Sequence, residues 1–326
     1  MPAWRSCRHL LGVALLATPA LSVHAQSYPP LRSKVEAVNV SARAYYVQGK
    51  AGVASAENEG FNSNAGLVVT DSGVVVIDAL GTPALGNALV GAIRKVTDKP
   101  VTRVIVTHYH ADHFYGLKAL KDVGAQVWAH RAALEYLDSG EAAKRREQRA
   151  KDLFPWIDES MHFVRADRWL DADTSFTLGG VRFDIYWFGP AHSPEDLVIA
   201  VPGEGVIFCG DLFFTGRIPF VGEADSKAWL QRIDRLIELK PRLMVPGHGE
   251  ASREPAKDLV LTRDYLTFLR AAMGKAVEDF VPFEEAYART DWSRFAKLPA
   301  FEAANRNNAY GTYLLMERES LQKQSR

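Results

Sequence analysis

Four side chains that can bind a metal lie within six residues, directly after an apolar run. Residues 108–113 read His-Tyr-His-Ala-Asp-His, and residues 101–106 before them have the apolar character of a buried strand. These side chains cannot all point one way on a regular strand or helix, but on a turn they can converge on two nearby points. Imidazole and carboxylate are ligands that zinc favours. Surface histidines on a loop are the alternative interpretation, and one or two histidines alone would favour it.

Three further elements place a histidine or an aspartate after a predicted strand. His192 lies between Gly-Pro-Ala and Ser-Pro, Asp211 follows Cys-Gly, and His248 stands between two glycines. Each is weak alone, because Gly-Asp can cap a helix and Gly-His-Gly can be a turn. Together, four such elements at successive strand ends predict a metal centre. Its candidate ligands are His108, His110, Asp112, His113, His192, Asp211 and His248.

Short apolar runs and helical segments alternate in two similar halves between residues 35 and 249. Two strand-then-helix halves predict an α/β fold in which two mixed sheets pack face to face with helices outside, within one domain. That domain would span residues 26–326, with residues 250–326 as a helical C-terminal extension. Residues 49–64, rich in Gly, Ala, Ser and Asn, predict a mobile loop, and the charged residues 141–154 predict a surface helix.

The first 25 residues have the pattern of a secretory signal peptide. Arg5 and Arg8 precede an apolar run of about a dozen residues, and Val23-His24-Ala25 offers small residues for cleavage. A short membrane anchor is the alternative, but the run is too short to span a bilayer. We therefore expect a secreted or periplasmic protein with one remaining cysteine, Cys209, and hence without an intrachain disulfide.

The charge balance restricts the partners. The chain has 39 basic and 39 acidic residues, and loss of the signal peptide would leave a net charge of about −2. A basic face for nucleic acid is not expected, nor is a membrane span after signal cleavage. The expected partner is a small-molecule substrate, and the oligomeric state is left open.

The ordered series His-x-His-x-Asp-His, His, Gly-Asp and Gly-His-Gly resembles the metallo-β-lactamase-fold hydrolases over residues 35–249. The resemblance implies an αββα sandwich and two zinc ions per chain. By position, His108, His110 and His192 would bind the first ion, and Asp112, His113 and His248 the second. Asp211 would bridge the two ions.

The resemblance also implies a reaction. A hydroxide bridging the two ions would attack a small ester, thioester, lactone or β-lactam amide, and Asp112, as the catalytic residue, would orient it and transfer its proton. The loop at residues 49–64 would cover the substrate. The alternatives are an iron-loaded enzyme of sulfur or oxygen chemistry and a low-turnover accessory protein of a periplasmic dehydrogenase system.

Departures from the drug-hydrolysing members narrow the branch. Asp211 stands where β-lactamases that use a cysteine ligand carry that cysteine, and Phe214 stands where those enzymes have a substrate-binding lysine. With His113, this gives the generic seven-ligand set. Residues 216–226 resemble quinoprotein relay system zinc metallohydrolases, in a segment with no evident catalytic group. Cys209 is expected in the packed core.

Overall fold

The computed structural model describes residue 1 and residues 28–324. The predicted signal peptide, apart from Met1, lies outside the described residues. Within residues 28–324 no helix is both long and apolar enough to cross a bilayer.

The first sheet has seven strands that lie side by side in chain order. The strands are β1 (Ala37–Asn39), β2 (Ala44–Val47), β3 (Ala65–Thr70), β4 (Gly73–Ile77), β5 (Val101–Ile105), β6 (Gln126–His130) and β7 (Arg168–Leu170). Strands β1 to β4 pair antiparallel, and β4 to β7 pair parallel. The valine-rich β4 is buried along its whole length, as expected of a strand covered on both faces.

The second sheet has five strands in the order β12-β11-β10-β9-β8. They are β8 (Thr174–Leu178), β9 (Val181–Trp187), β10 (Leu197–Val201), β11 (Val206–Phe208) and β12 (Leu243–Val245). Only β11 and β12 pair parallel in this sheet, whereas its other pairs are antiparallel. Both sheets are therefore mixed, as predicted.

Helices cover the outer faces of both sheets. They are α1 (Pro83–Val96), α2 (Ala111–Phe114), α3 (Leu117–Asp122), α4 (Ala133–Leu137), α5 (Gly140–Asp152), α6 (Ser226–Glu238), α7 (Pro255–Glu278), α8 (Phe283–Arg289) and α9 (Phe301–Gln324). The short helices α2 and α3 are separated at Gly116. That glycine lies against Gly86 and the Ala79 carbonyl, so closely that a Cβ would be 1.9 Å from the Ala79 oxygen.

Three apolar layers hold these elements together. The central layer fills the space between the two sheets, where the ring of Phe208 lies directly over Gly66. One outer layer lies between the first sheet and α1 and α3, and the other between the second sheet and the helices α6, α7 and α9. This order of helix, sheet, sheet and helix confirms the predicted αββα sandwich.

The C-terminal helices brace one side of the second sheet. Arg270 of α7 makes a two-pronged ion pair with Glu319 of α9. From α9, the buried Asn308 accepts hydrogen bonds from the backbone N–H groups of Val221 and Gly222 and donates to the Pro219 carbonyl. The extension therefore fixes the segment of residues 219–222, which lies beside the site described next.

Candidate metal centre

The predicted ligands lie on loops that leave the strands at one edge of the sandwich. His108 and His110 follow β5, and Asp112 and His113 lie on the short α2. His192 follows β9, Asp211 lies in a 3-10 turn after β11, and His248 follows β12. At this edge the two sheets are joined by a hydrogen bond from the Leu197 backbone N–H to the Thr107 carbonyl.

The structure brings all seven side chains together in two groups. His108, His110, His192 and Asp211 form one group, and Asp112, His113 and His248 form the other. Within each group, the possible ligand atoms all lie within 4.8 Å of one another. The grouping is the one that the sequence resemblance implied.

Asp211 lies between the two groups. Its Oδ2 is 3.4 Å from His192 Nε2 and 3.9 Å from His108 Nε2 on the first side. On the second side, its Oδ1 is 3.1 Å from His113 Nε2, and its Oδ2 is 3.3 Å from His248 Nε2. A carboxylate in this position can contact ions in both groups.

Glycines make room for Asp211. Gly210, before it, has a positive φ of 51°, which glycine adopts at low cost. Gly247, before His248, lies so close that a Cβ would be 1.9 Å from Asp211 Oδ1. The small residues of the two motifs therefore serve the close approach of β11 and β12 at their ends.

Asp78, which directly follows β4, fixes the orientation of two histidines from below. Its carboxylate accepts hydrogen bonds from the Thr107 N–H at 2.7 Å, the Thr107 hydroxyl at 2.8 Å and His113 Nδ1 at 2.9 Å. Because that hydroxyl donates to Asp78, its oxygen accepts from His108 Nδ1, 3.0 Å away. Both histidines thus carry a proton on Nδ1 and direct Nε2 at the cluster.

Sequence analysis missed Asp78. The available signal was its position directly after β4, which is parallel to the strand that precedes the histidine cluster.

Asn62 holds the second group from the other side. Its side-chain amide donates to Asp112 Oδ2 at 2.9 Å, and its backbone carbonyl accepts from His248 Nδ1 at 2.6 Å. His248 Nε2, left with its lone pair, is 3.4 Å from Asp112 Oδ2. Asn64 similarly donates to the Pro246 and Gly249 carbonyls on either side of His248.

These contacts correct the prediction of a mobile loop at residues 49–64. Its second part, residues 58–64, is buried. The Asn and Ser side chains that suggested flexibility instead make hydrogen bonds into the cluster, and the hydroxyl of Ser63 donates to the Asp112 carbonyl. The first part, with the exposed Val53, lies at the surface of the cleft, and Asn62 of the second part also lines it.

Burial and contacts within the cluster shift the pKa values of its side chains. Burial lowers the pKa of His110 to about 4 and that of His192 to about 3, so both are neutral at neutral pH. Burial alone would lower the pKa of His113, but Asp211 and Asp78 raise it well above its usual range. Burial would raise the pKa of Asp211, but His248 and His113 hold it well below its usual range.

Several buried polar atoms of the cluster lack a protein partner in the described residues. They are His108 Nε2, His192 Nδ1 and, although they lie 3.1 Å from each other without hydrogen-bond geometry, His113 Nε2 and Asp211 Oδ1. A buried polar atom without a partner is costly. His110 Nδ1 and His192 Nε2 approach to 2.9 Å, and nitrogens that share a tetrahedral zinc are about 3.3 Å apart. This donor set of five imidazoles and two carboxylates fits a pair of zinc ions, with His108, His110, His192 and Asp211 around one, and Asp112, His113 and His248 around the other.

An open cleft leads to the cluster. His110, Asp112, Asp211 and His248 form its floor. Its walls are apolar in part, with Val53, Ala54, Tyr136 and Phe220, and carry three arginines, Arg145, Arg149 and Arg217. This mixture of apolar and polar groups is typical of small-molecule sites.

The arginines add detail to two predictions. The charged segment at residues 141–154 forms the predicted surface helix, α5, and its Arg145 and Arg149 line the cleft. The segment at residues 216–226, predicted to lack an evident catalytic group, supplies Arg217 to the cleft wall, where it is 5% exposed and donates to the Gly52 carbonyl at 2.7 Å. Periodicity does not show which face of a charged helix meets a cleft, and so it could not predict these positions.

Two neighbouring residues have structural roles. Cys209 is buried in the apolar layer of the second sheet, as predicted, and burial raises the pKa of its thiol well above the usual range. Phe214 is also buried, and its ring stacks on His248 with the ring centres 5.2 Å apart. Phe214 therefore packs against His248 at the position where the β-lactamases with a cysteine ligand have a substrate-binding lysine.

Comparison with known proteins agrees with this arrangement. The family model described as the metallo-beta-lactamase superfamily matches residues 58–248, which is more than half of the chain. A metallo-beta-lactamase type 2 from Bacillus cereus is 25% identical over 256 residues, which cover 75% of this chain and 90% of the relative.

Solved structures share the fold. A metallo-beta-lactamase from Pontibacter korlensis superposes with a TM-score of 0.54 at 22% identity, covering 72% of this chain and 99% of that one. A stereoselective inverting sec-alkylsulfatase from Pseudomonas superposes with a TM-score of 0.63 at 20% identity, covering 86% of this chain and 50% of that one. The fold, the clustered histidines and aspartates and the family match lead to one conclusion: the chain belongs to the metallo-beta-lactamase superfamily and is a hydrolase of that superfamily.

Proposed function

We propose that this protein is a zinc-dependent hydrolase with two zinc ions per chain, acting on a small ester, thioester, lactone or β-lactam amide. The observation that supports it best is the convergence of five imidazoles and two carboxylates in two adjoining groups, within each of which the possible ligand atoms lie within 4.8 Å of one another. Asp78 and Asn62 hold three of the histidines by Nδ1, so that Nε2 faces the cluster as a metal requires.

The zinc pair, when bound, would supply a hydroxide nucleophile at neutral pH and Lewis-acid stabilisation of the oxyanion. The chain's own residues prepare the rest. Asp112 lines the cleft, and Asn62 holds its Oδ2. Burial would raise the pKa of Asp112, but His113 and His248 keep it well below the usual range, so the carboxylate is ionised. It can therefore accept a hydrogen bond from the attacking water and orient it, as proposed for the catalytic residue.

The substrate range follows from the cleft and from the relatives. A metallo-beta-lactamase relative supports an amide or ester carbonyl as the centre that is attacked. The cleft lies open above the cluster, so a small organic substrate can reach Asp112 and His110 directly. Phe214, which stands where the β-lactamases with a cysteine ligand have a lysine, gives no direct contact for a drug carboxylate, because it is fully buried.

The test is His110→Ala, with His162→Ala as the matched control. His110 lies in the cluster, whereas His162 is exposed on the surface. Metal content by mass spectrometry and turnover of a hydrolase panel that includes nitrocefin are measured on both variants. We expect His110→Ala to lose metal and turnover, and His162→Ala to retain both.

Two outcomes would contradict the proposal. Normal hydrolysis by His110→Ala with less than one metal ion per chain would refute the metal-dependent mechanism. Iron in place of zinc in the purified wild-type protein, without hydrolysis, would instead favour the alternative of sulfur or oxygen chemistry.

A further inference from the structure

Two arginines of α5 point into the cleft from the same side of the helix. Arg145 and Arg149 are four residues apart, a spacing that places side chains next to each other on one helix face. Neighbouring charged residues of α5 make contacts away from the cleft. Lys144 pairs with Glu141, and Arg146 donates to the Met161 carbonyl.

Arg145 and Arg149 have no ion pair or hydrogen bond from their side chains to any other described residue. Arg149 is partly buried and Arg145 is exposed at the cleft wall. Arg217, by contrast, is tied to the backbone carbonyls of Gly52 and Ile218.

The carboxylates of the cluster do not require these arginines for neutralisation. With the two zinc ions and the hydroxide of the proposed function, the centre would carry +4 from the ions, −3 from Asp78, Asp112 and Asp211, and −1 from the hydroxide. The sum is about zero before any arginine is counted. Three guanidinium groups around the same cleft add positive charge, which attracts an anion in a partly desolvated site.

We propose that Arg145 and Arg149 together bind an anionic group of the substrate, so that the substrate is an organic anion with a carboxylate, sulfate or phosphate. The proposal rests on the proposed function and narrows its substrate class. The planar guanidinium fork suits all three oxyanions, since each offers two oxygens for paired hydrogen bonds. The apolar part of the same molecule would lie against Val53, Tyr136 and Phe220.

The kinetic test compares two matched esters on the zinc-loaded protein, neutral 4-nitrophenyl butyrate and anionic mono-4-nitrophenyl succinate. The variant is Arg145→Gln with Arg149→Gln, and the control is Arg146→Gln on the same helix. We expect the ratio of kcat/KM for the anionic ester to that for the neutral ester to fall at least about tenfold in the double variant, through KM of the anionic ester. The control should keep the wild-type ratio.

A binding measurement makes the test independent of turnover. Isothermal calorimetry on the same proteins uses hexanoate, hexyl sulfate and hexyl phosphate, with hexanol as the neutral probe. We expect each anion that binds the wild type to bind at least about tenfold more weakly to the double variant, with hexanol unaffected. The tightest of the three identifies the anionic group.

The outcomes separate this inference from the proposed function. If the wild type hydrolyses neither ester but binds the anions more tightly than the double variant does, the result would support the arginine site and count against the hydrolase. Three outcomes would overturn the arginine site and leave the hydrolase standing. The double variant could hydrolyse both esters with the wild-type ratio of kcat/KM, it could bind the anions as tightly as the wild type does, or the wild type could bind no anion.

Discussion

Replacing Asp78 by Asn removes one negative charge and one acceptor from beneath the metal centre while the backbone can stay in place. Asp78 has a positive φ of 62°. Asn adopts this left-handed region more readily than most residues, whereas Ala would add backbone strain. Asp78→Asn therefore isolates the effect of the carboxylate.

The size of the effect follows from the three donors that Asp78 receives. Thr107 contributes its N–H and its hydroxyl, and His113 contributes Nδ1–H. An amide has only one acceptor oxygen, so its NH₂ group must face a buried donor of Thr107 or His113. An unsatisfied buried donor costs about 1–3 kcal/mol. Loss of an outer-shell partner weakens metal binding by about 10–100-fold, which is about 1.4–2.8 kcal/mol and agrees with the first figure.

The assay is a competition titration of zinc against a chromophoric chelator, with circular dichroism to verify the fold. Asp71→Asn is the control, because Asp71 lies at the opposite end of β4, pairs with Arg43 and has a 67% exposed side chain. We expect zinc affinity to fall by about 10–100-fold in Asp78→Asn and to stay unchanged in Asp71→Asn. A folded Asp78→Asn protein with wild-type zinc affinity would refute the role of Asp78 in orienting the histidines.

Two further predictions concern stability, measured by urea unfolding of purified variants. Gly66→Ala would place a Cβ 2.3 Å from Phe208 Cε1 and should destabilise the fold by about 1–3 kcal/mol. Gly91→Ala, whose Cβ would have no atom within 4 Å, should stabilise the fold by about 0.5–1 kcal/mol. Equal effects of the two variants would contradict the packing between the sheets. Arg270 lowers the pKa of Glu319, so the pair stabilises the fold above the unfolded pKa of about 4.3, and this contribution is lost as the pH falls through the lower folded value. Glu319→Gln should therefore cost about 1 kcal/mol at neutral pH and nothing in strong acid, and an equal cost at both would count against the ion pair.

Local sequence carried much of the information about this protein. The alternation of apolar runs and helical segments predicted both sheets, because the spacing of apolar residues within a short stretch of chain indicates whether that stretch is a strand or a helix. The motifs at the strand ends predicted which side chains would meet, because chain direction places the ends of successive strands at one edge. Cys209 was predicted in the core, where the structure places it.

Other features depended on contacts between distant parts of the chain. Asp78 reaches His113 across 35 residues, and Asn62 reaches Asp112 across 50, so no local pattern links them. Residues 49–64 were predicted to be a mobile loop because the partners of their polar side chains lie far away in the sequence. Arg149 looked like one charge among many on a surface helix until packing turned it towards the cleft.

The sequence by itself thus determined the sandwich architecture and the identity of the seven clustered side chains, since both depend on periodicity and on residues at strand ends. Tertiary structure decided which nitrogen of His108, His113 and His248 faces the centre and which charges surround the cleft. Tautomers and local fields depend on atoms a few ångströms away in space, and only the folded chain specifies those neighbours.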